Sequence, residues 1–213
     1  MVTTDAFDAT FRASLSKLLA WRRDVRRFKT DAVDEALLHD LITQTALSPS
    51  VGNSQPWRWV RVSSAPARAA VSANFERCNS AALAAYTGDR ASAYARLKLA
   101  GLQDAPVHLA VFCDEQTEIG HGLGRKTMPQ MLDFSVVSAI TIFWLAARAH
   151  GLGVGWVSIL DPLEVAAALE VDPGWKLIAY LCVGYPVEEH EDPELVRFGW
   201  QDRVNPADHV LIR

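Results

Sequence analysis

The chain has 213 residues, half of them hydrophobic and 22% charged, with a net charge of −4 and a pI near 5.8. That length supports a real hydrophobic core, and the apolar content excludes a disordered chain. The acidic balance speaks against a general nucleic-acid binder, which carries a basic excess.

Cys78, Cys113 and Cys182 share no metal-ligand spacing. An odd count without a framework fits a reducing compartment, so a cytoplasmic location is expected. The first residues, MVTTDAFDAT, hold acids and no apolar segment, so no signal peptide is expected.

In chain order, Phe7, Phe11, Leu15, Leu18 and Leu19 fall at helical spacing up to Trp21. Residues 33–47, VDEALLHDLITQTAL, repeat that pattern, with Asp34 as N-cap. Pro49, Gly52 and Pro56 break regular structure, and the alternation of WRWVRVS, 57–63, predicts a strand. Residues 65–105 read as mostly helical with an interruption near Thr87 and Gly88. VHLAVFCD, 107–114, predicts a buried strand, and residues 115–129 a long loop. Residues 132–150 predict a long helix. Its apolar stretch, Phe134 to Ala147, is shorter than the about twenty residues a membrane span needs. It is expected to be a core helix covered on both sides. VGWVSIL, 154–160, predicts a short strand. DPLE, 161–164, opens a helix with Asp161 as N-cap, Pro162 in the first turn and Glu164 three residues after the cap. KLIAYLCVGYP, 176–186, predicts a central strand. From Val187 onward no period is visible, and the segment is expected to wrap over a surface, of this chain or of a partner subunit.

Strands are few and do not alternate regularly with helices. That favours an α+β layer arrangement over a doubly wound sheet. No repeat or linker divides residues 1–213, so one domain is expected. No GxGxxG follows a strand and opens a helix, since GHGLG, 120–124, lies in a loop. The six histidines share no ligand spacing, so no metal is expected. There is no G-x-S-x-G elbow.

Two motifs carry chemistry. In RRDVRRF, 22–28, Arg22, Arg23 and Arg26 could converge on one phosphate, because a guanidinium fork makes parallel charged bonds. A lone arginine run is more often a solvated face. Asp24 poses the question, since it would repel the same anion. In PSVGNSQPW, 49–57, the Asn53 and Gln55 amides suit a ring edge carrying donors and acceptors, and Pro56 biases Gln55 towards extended backbone. Alone, this is an ordinary polar loop.

Together and in this order, the two motifs resemble the flavin-binding signature of the nitroreductase superfamily. The resemblance runs from Leu15 to Tyr185. It implies a central, mainly antiparallel sheet flanked by helices, with a C-terminal extension. It implies FMN held by Arg22, Arg23, Val25 and Arg26 and by Pro49, Ser50, Asn53 and Gln55. Val157 and Ile159 on the glycine-rich strand would add to these, with Arg203, or else Arg197, reaching the phosphate. It also implies a homodimer with the flavin at the subunit interface.

Where the wider family has serine, this chain has Asp24. With YARLKLAGLQDAP, 94–106, and GVGWVSIL, 153–160, the motifs look like the 5,6-dimethylbenzimidazole synthases, which consume their flavin. That resemblance implies reduced FMN and dioxygen as substrates, with a separate flavin reductase as the source. The products would be 5,6-dimethylbenzimidazole, the lower ligand of cobalamin, and erythrose 4-phosphate. Asp24 would be the general base and Ser158 would hydrogen-bond the ring. The bland readings are an arginine-neutralising Asp24 and a packed strand serine. Residues 81–102, with Tyr86, Tyr94, Leu97 and Leu99, read equally as a water-excluding lid or as the core of a helix pair. Two rival functions are an NAD(P)H-dependent nitroreductase or flavin reductase, against which Asp24 argues, and a flavin-binding protein without chemistry. No nucleic acid or membrane is expected as a partner.

Overall fold

The computed structural model describes residues 7–97 and 101–213. In chain order the first elements are α1 (Ala9–Trp21), α2 (Glu35–Gln44), β1 (Trp57–Arg61), α3 (Ala65–Ala84), α4 (Gly88–Arg96) and β2 (Val107–Asp114). Then come α5 (Met131–Ala149), β3 (Gly153–Val157), α6 (Pro162–Ala168), β4 (Trp175–Gly184) and α7 (Glu194–Arg197). The strands form one antiparallel sheet in the order β1–β2–β4–β3, so the architecture is α+β.

Side chains alternate across each strand, so the sheet builds two cores. On one face Leu109 and Val111 of β2 and Leu181 and Val183 of β4 pack on α5 and on Leu38 and Leu41 of α2. On the other, Ala110, Phe112, Tyr180 and Cys182 meet Phe28, Val71 and Phe75, with Val165 of α6. His108 is fully buried and bonded to the Tyr180 hydroxyl at 2.9 Å. Burial pushes its pKa down to about 4, so it stays neutral. The Cys113 and Cys182 thiols are buried and pushed up to about 12.

The caps explain where helices begin. Asp34 accepts from the Leu37 N–H at 2.8 Å, and Asp161 from Leu163 and Glu164 at 3.0 Å. Glu164 does not close the expected capping box. Its carboxylate instead accepts from Asn74 and Arg77 on α3, which ties α6 to that helix.

Three further expectations change. The glycine-rich strand ends at Val157 and not Leu160, which leaves Ser158 just beyond its end. Gln55 is not extended. Its φ of 46° lies in the left-handed region, because it closes a tight turn in which its N–H donates to the Ser50 hydroxyl at 3.1 Å. Helix α5 is not covered on both sides by the described residues. Its length and hydropathy would suffice to cross a membrane, yet Val136, Ile140 and Phe143 pack on the sheet while Phe134 and Val137 face outward. Helix α1 is similar, with Phe11, Leu15 and Leu19 exposed.

The arginine segment extends the sheet. Asp24 bridges to Val154 in parallel, and the Val25 N–H donates to the Val154 carbonyl at 3.0 Å. Gly155 permits this approach, since a Cβ there would sit 2.1 Å from the Val25 carbonyl oxygen. The C-terminal segment wraps over the same region of its own chain. Val187 N–H donates to the Arg27 carbonyl, and Arg27 pairs with Glu188.

Candidate functional site

The free edge of β3 decides where Asp24 points. An edge strand leaves every second N–H unpaired, and that of Trp156 donates to Asp24 Oδ1 at 2.9 Å. Asp24 Oδ2 accepts from Arg26 Nε at 3.1 Å. Of the four neighbouring arginines, Arg26 is the one that pairs with Asp24. The carboxylate remains partly exposed. It borders a cleft of about 100 Å³ whose walls include Val25, Phe75, Gly101, Val157, Ser158 and Ile159, with Cys182 lining it as well. Asn74, next to Phe75, accepts from the Asp161 N–H at 2.9 Å and so fixes α3 against the chain that follows Ser158.

A second cleft of about 370 Å³ also borders Asp24. Arg22, Arg23, Arg26 and Arg203 line it together. Arg22 lies over the Trp144 ring at 4.8 Å, and Arg23 donates to the Glu191 and Arg22 carbonyls. Partial burial, and then the Arg203 and Arg22 guanidiniums, push the pKa of Arg23 down. Among the described residues Arg203 has no ion-pair partner, and the four arginines of the lining outnumber its carboxylates, Asp24, Glu194 and Asp202, by one. Arg197, the alternative, borders neither of these clefts.

Matches to known proteins fit this arrangement. The nitroreductase family model matches residues 19–185. The chain belongs to the nitroreductase family. It is 56% identical over all of both chains to a 5,6-dimethylbenzimidazole synthase of Rhodospirillum rubrum. It is 48% identical to another from Rhodobacter capsulatus, over 93% of this chain and 96% of that one. These identities place it in the synthase branch of the nitroreductase family. A solved structure of iodotyrosine deiodinase bound to FMN and 3-iodo-L-tyrosine shares the fold. Its TM-score is 0.73 at 24% identity, over 93% of this chain and 97% of that one.

The two halves of the nitroreductase signature do not meet in one chain. Pro49 and Asn53 are exposed, Ser50 and Gln55 partly buried, and none of the four lines either cleft. They precede β1, at the opposite edge of the sheet from Asp24. Four strand steps of about 4.8 Å put roughly 19 Å between the Asp24 segment and β1, which the loop precedes. The loop is shaped by its own packing. Val51 N–H donates to the Ser135 hydroxyl of α5 at 3.0 Å, and Gly52 abuts Gly120 of the 115–129 loop.

Gly101 of the 81–102 region lines the cleft, whereas its aromatics Tyr86 and Tyr94 do not. Tyr86 and Tyr94 stack at 5.1 Å, and Trp200 from the C-terminal segment meets both rings edge-on. Tyr94 and Leu97 are buried, as the helix-pair reading requires, while Leu99 lies outside the described residues.

Sequence reasoning missed Trp156, Phe75, Trp200 and Glu194. Trp156 contributes through its backbone, which no side-chain pattern reveals. Glu194 had a visible signal: the acidic run EEHEDPE, 188–194, complements the arginine run it packs against.

Proposed function

We propose that this chain is a 5,6-dimethylbenzimidazole synthase that fragments reduced FMN with dioxygen, giving 5,6-dimethylbenzimidazole and erythrose 4-phosphate and leaving the pyrimidine part of the ring as a third, oxidised fragment. The observation that carries it is Asp24 itself. A carboxylate stands at the junction of a cation-lined cleft and an apolar cleft, anchored by a strand-edge N–H. The donor set fits FMN. Arg22, Arg23 and Arg203 offer planar charged donors without enough carboxylate to balance them, which suits a phosphate. Phe75, Val157 and Ile159 beside Ser158 offer an apolar wall with one hydroxyl, which suits a ring.

Reduced FMN and dioxygen supply the redox chemistry. The protein's residues bind, orient and move protons. Asp24 accepts a proton from the ribityl arm where that arm leaves the ring, since it lies between the two clefts. Ser158, exposed at the strand end, donates a hydrogen bond towards the ring. Pro49, Ser50, Asn53 and Gln55 serve the site of a second copy, because they lie across the sheet from their own chain's Asp24. The outward apolar rows of α5 and α1 give that second copy a surface to bury. The chain is therefore read as a homodimer supplied with reduced flavin by a separate reductase.

The test is one mixing experiment. Protein in excess over anaerobically reduced FMN is exposed to air, and the small molecules are analysed by mass spectrometry. Release of 5,6-dimethylbenzimidazole is expected. Recovery of oxidised FMN alone would overturn the reading in favour of a flavin-carrying nitroreductase.

A further inference from the structure

We propose that Glu194 is a positioning residue for Asp24, acting through Arg26. The inference rests on Asp24 being the base of the reaction above. One oxygen of Asp24 is fixed by the Trp156 N–H, so the placement of the other follows Arg26. The Arg26 side chain is only 13% exposed and cannot rely on water. Its Nη1 faces Glu194 Oε1 at 3.6 Å, and the Glu194 side chain is 8% exposed. Both atoms are buried, and neither has a hydrogen-bond partner among the described residues. Glu194 Oε2 is in turn held by Arg27 at 3.3 Å, and Arg27 bonds to Glu188. The charges alternate along Asp24–Arg26–Glu194–Arg27–Glu188.

This separates the arginines by task. All four arginines line the charged cleft, but of Arg22, Arg23, Arg26 and Arg203 it is Arg26 that is also paired with two carboxylates, Asp24 and Glu194. Turning Arg26 to a phosphate would strip Glu194 of one of its two counter-charges and release Asp24 Oδ2. Glu194 opens α7 in the C-terminal segment, and the same segment delivers Arg203. One stretch of chain therefore supplies a binding group and, through Arg26, the orientation of the base.

Glu194→Gln keeps the side-chain shape and removes the charge. Anaerobic binding of reduced FMN is expected to stay within about threefold of wild type, while product formation at saturating reduced FMN falls by about tenfold or more. Glu194→Asp is expected to be intermediate, and it carries the same kinetic test should Glu194→Gln prove too unstable to assay. Because both residues act on one link, the Arg26→Gln, Glu194→Gln double variant should be no slower than Arg26→Gln alone. Glu188→Gln removes the same charge farther along the chain and should stay within about twofold of wild type. A wild-type rate in Glu194→Gln, a loss confined to KM, additive losses, or an equal loss in Glu188→Gln each overturns the proposal. Asp24→Asn separates the two levels. Full product formation there removes the base assignment itself. An inactive Asp24→Asn beside a normal Glu194→Gln removes only the positioning role.

Discussion

The two edges of the sheet carry the two halves of one signature and build them differently. At the β3 edge, the Asp24 segment is held by strand hydrogen bonds and partly buried ion pairs, and it borders two clefts. At the β1 edge, the Ser50–Gln55 loop is held by a tight turn with Asn53 and Gln55 at positive φ, and its amides border neither cleft. The first edge is a nearly finished site. The second is a set of donors and acceptors held by its own turn, outside both clefts. The difference teaches that one chain holds two separated half-sites at opposite sheet edges, which a second copy would join in the proposed homodimer.

Asp24→Asn tests the finished edge most severely. The amide can still accept from Trp156 but cannot take a proton. Product formation is expected to fall by on the order of 10²–10⁴, with reduced-FMN binding retained. Chromatography of the products against a binding titration checks both halves of that statement. Undiminished product would show that this edge only binds.

Subunit mixing tests the division between edges. Asp24→Asn and Gln55→Ala variants are each expected to be impaired. If each site takes Asp24 from one chain and Gln55 from the other, random exchange restores about a quarter of the sites. Activity of the mixture, compared with each variant alone, is the measurement. No recovery on exchange would place both halves in one chain's site and break the comparison.

Arg203→Ala sharpens the charged edge. Loss of one exposed charged donor is expected to weaken reduced-FMN binding by about tenfold, less at high salt. The mild companion change is Gly155→Ala. Its Cβ would press on the Val25 carbonyl, so a loss of about 1–3 kcal/mol and a melting temperature lower by a few degrees are expected. Calorimetry on both proteins checks it, and an unchanged melting temperature would mean the 24–25 segment does not depend on that close contact.

Much of the fold was legible because its signals are local. Asp34 and Asp161 cap the helices they were expected to cap, and the strands VHLAVFCD and KLIAYLCVGYP lie at the sheet centre as their unbroken apolar runs require. The exposed face of α5 was not legible, since an apolar row looks the same whether a sheet or a second copy covers it. Gln55 was misread because a proline bias on the preceding residue is a small preference, and a closed turn with a Ser50 bond outweighs it. Arg26 was grouped with its neighbours by spacing, yet spacing does not show that Glu194 would be waiting on its other side.

By itself the sequence determined the two chemical sets, cations with one carboxylate and paired amides, together with the caps and core strands that frame them. These follow from residue type and short-range spacing, which need no knowledge of where the chain goes next. The tertiary structure alone decided which groups face each other. It put Asp24 on an unpaired N–H, brought Glu194 to Arg26 and Arg203 to Arg23, and sent the amides to the opposite edge. The physical reason is that strand order and edge exposure arise from packing the whole sheet between its helices, and no local stretch encodes them.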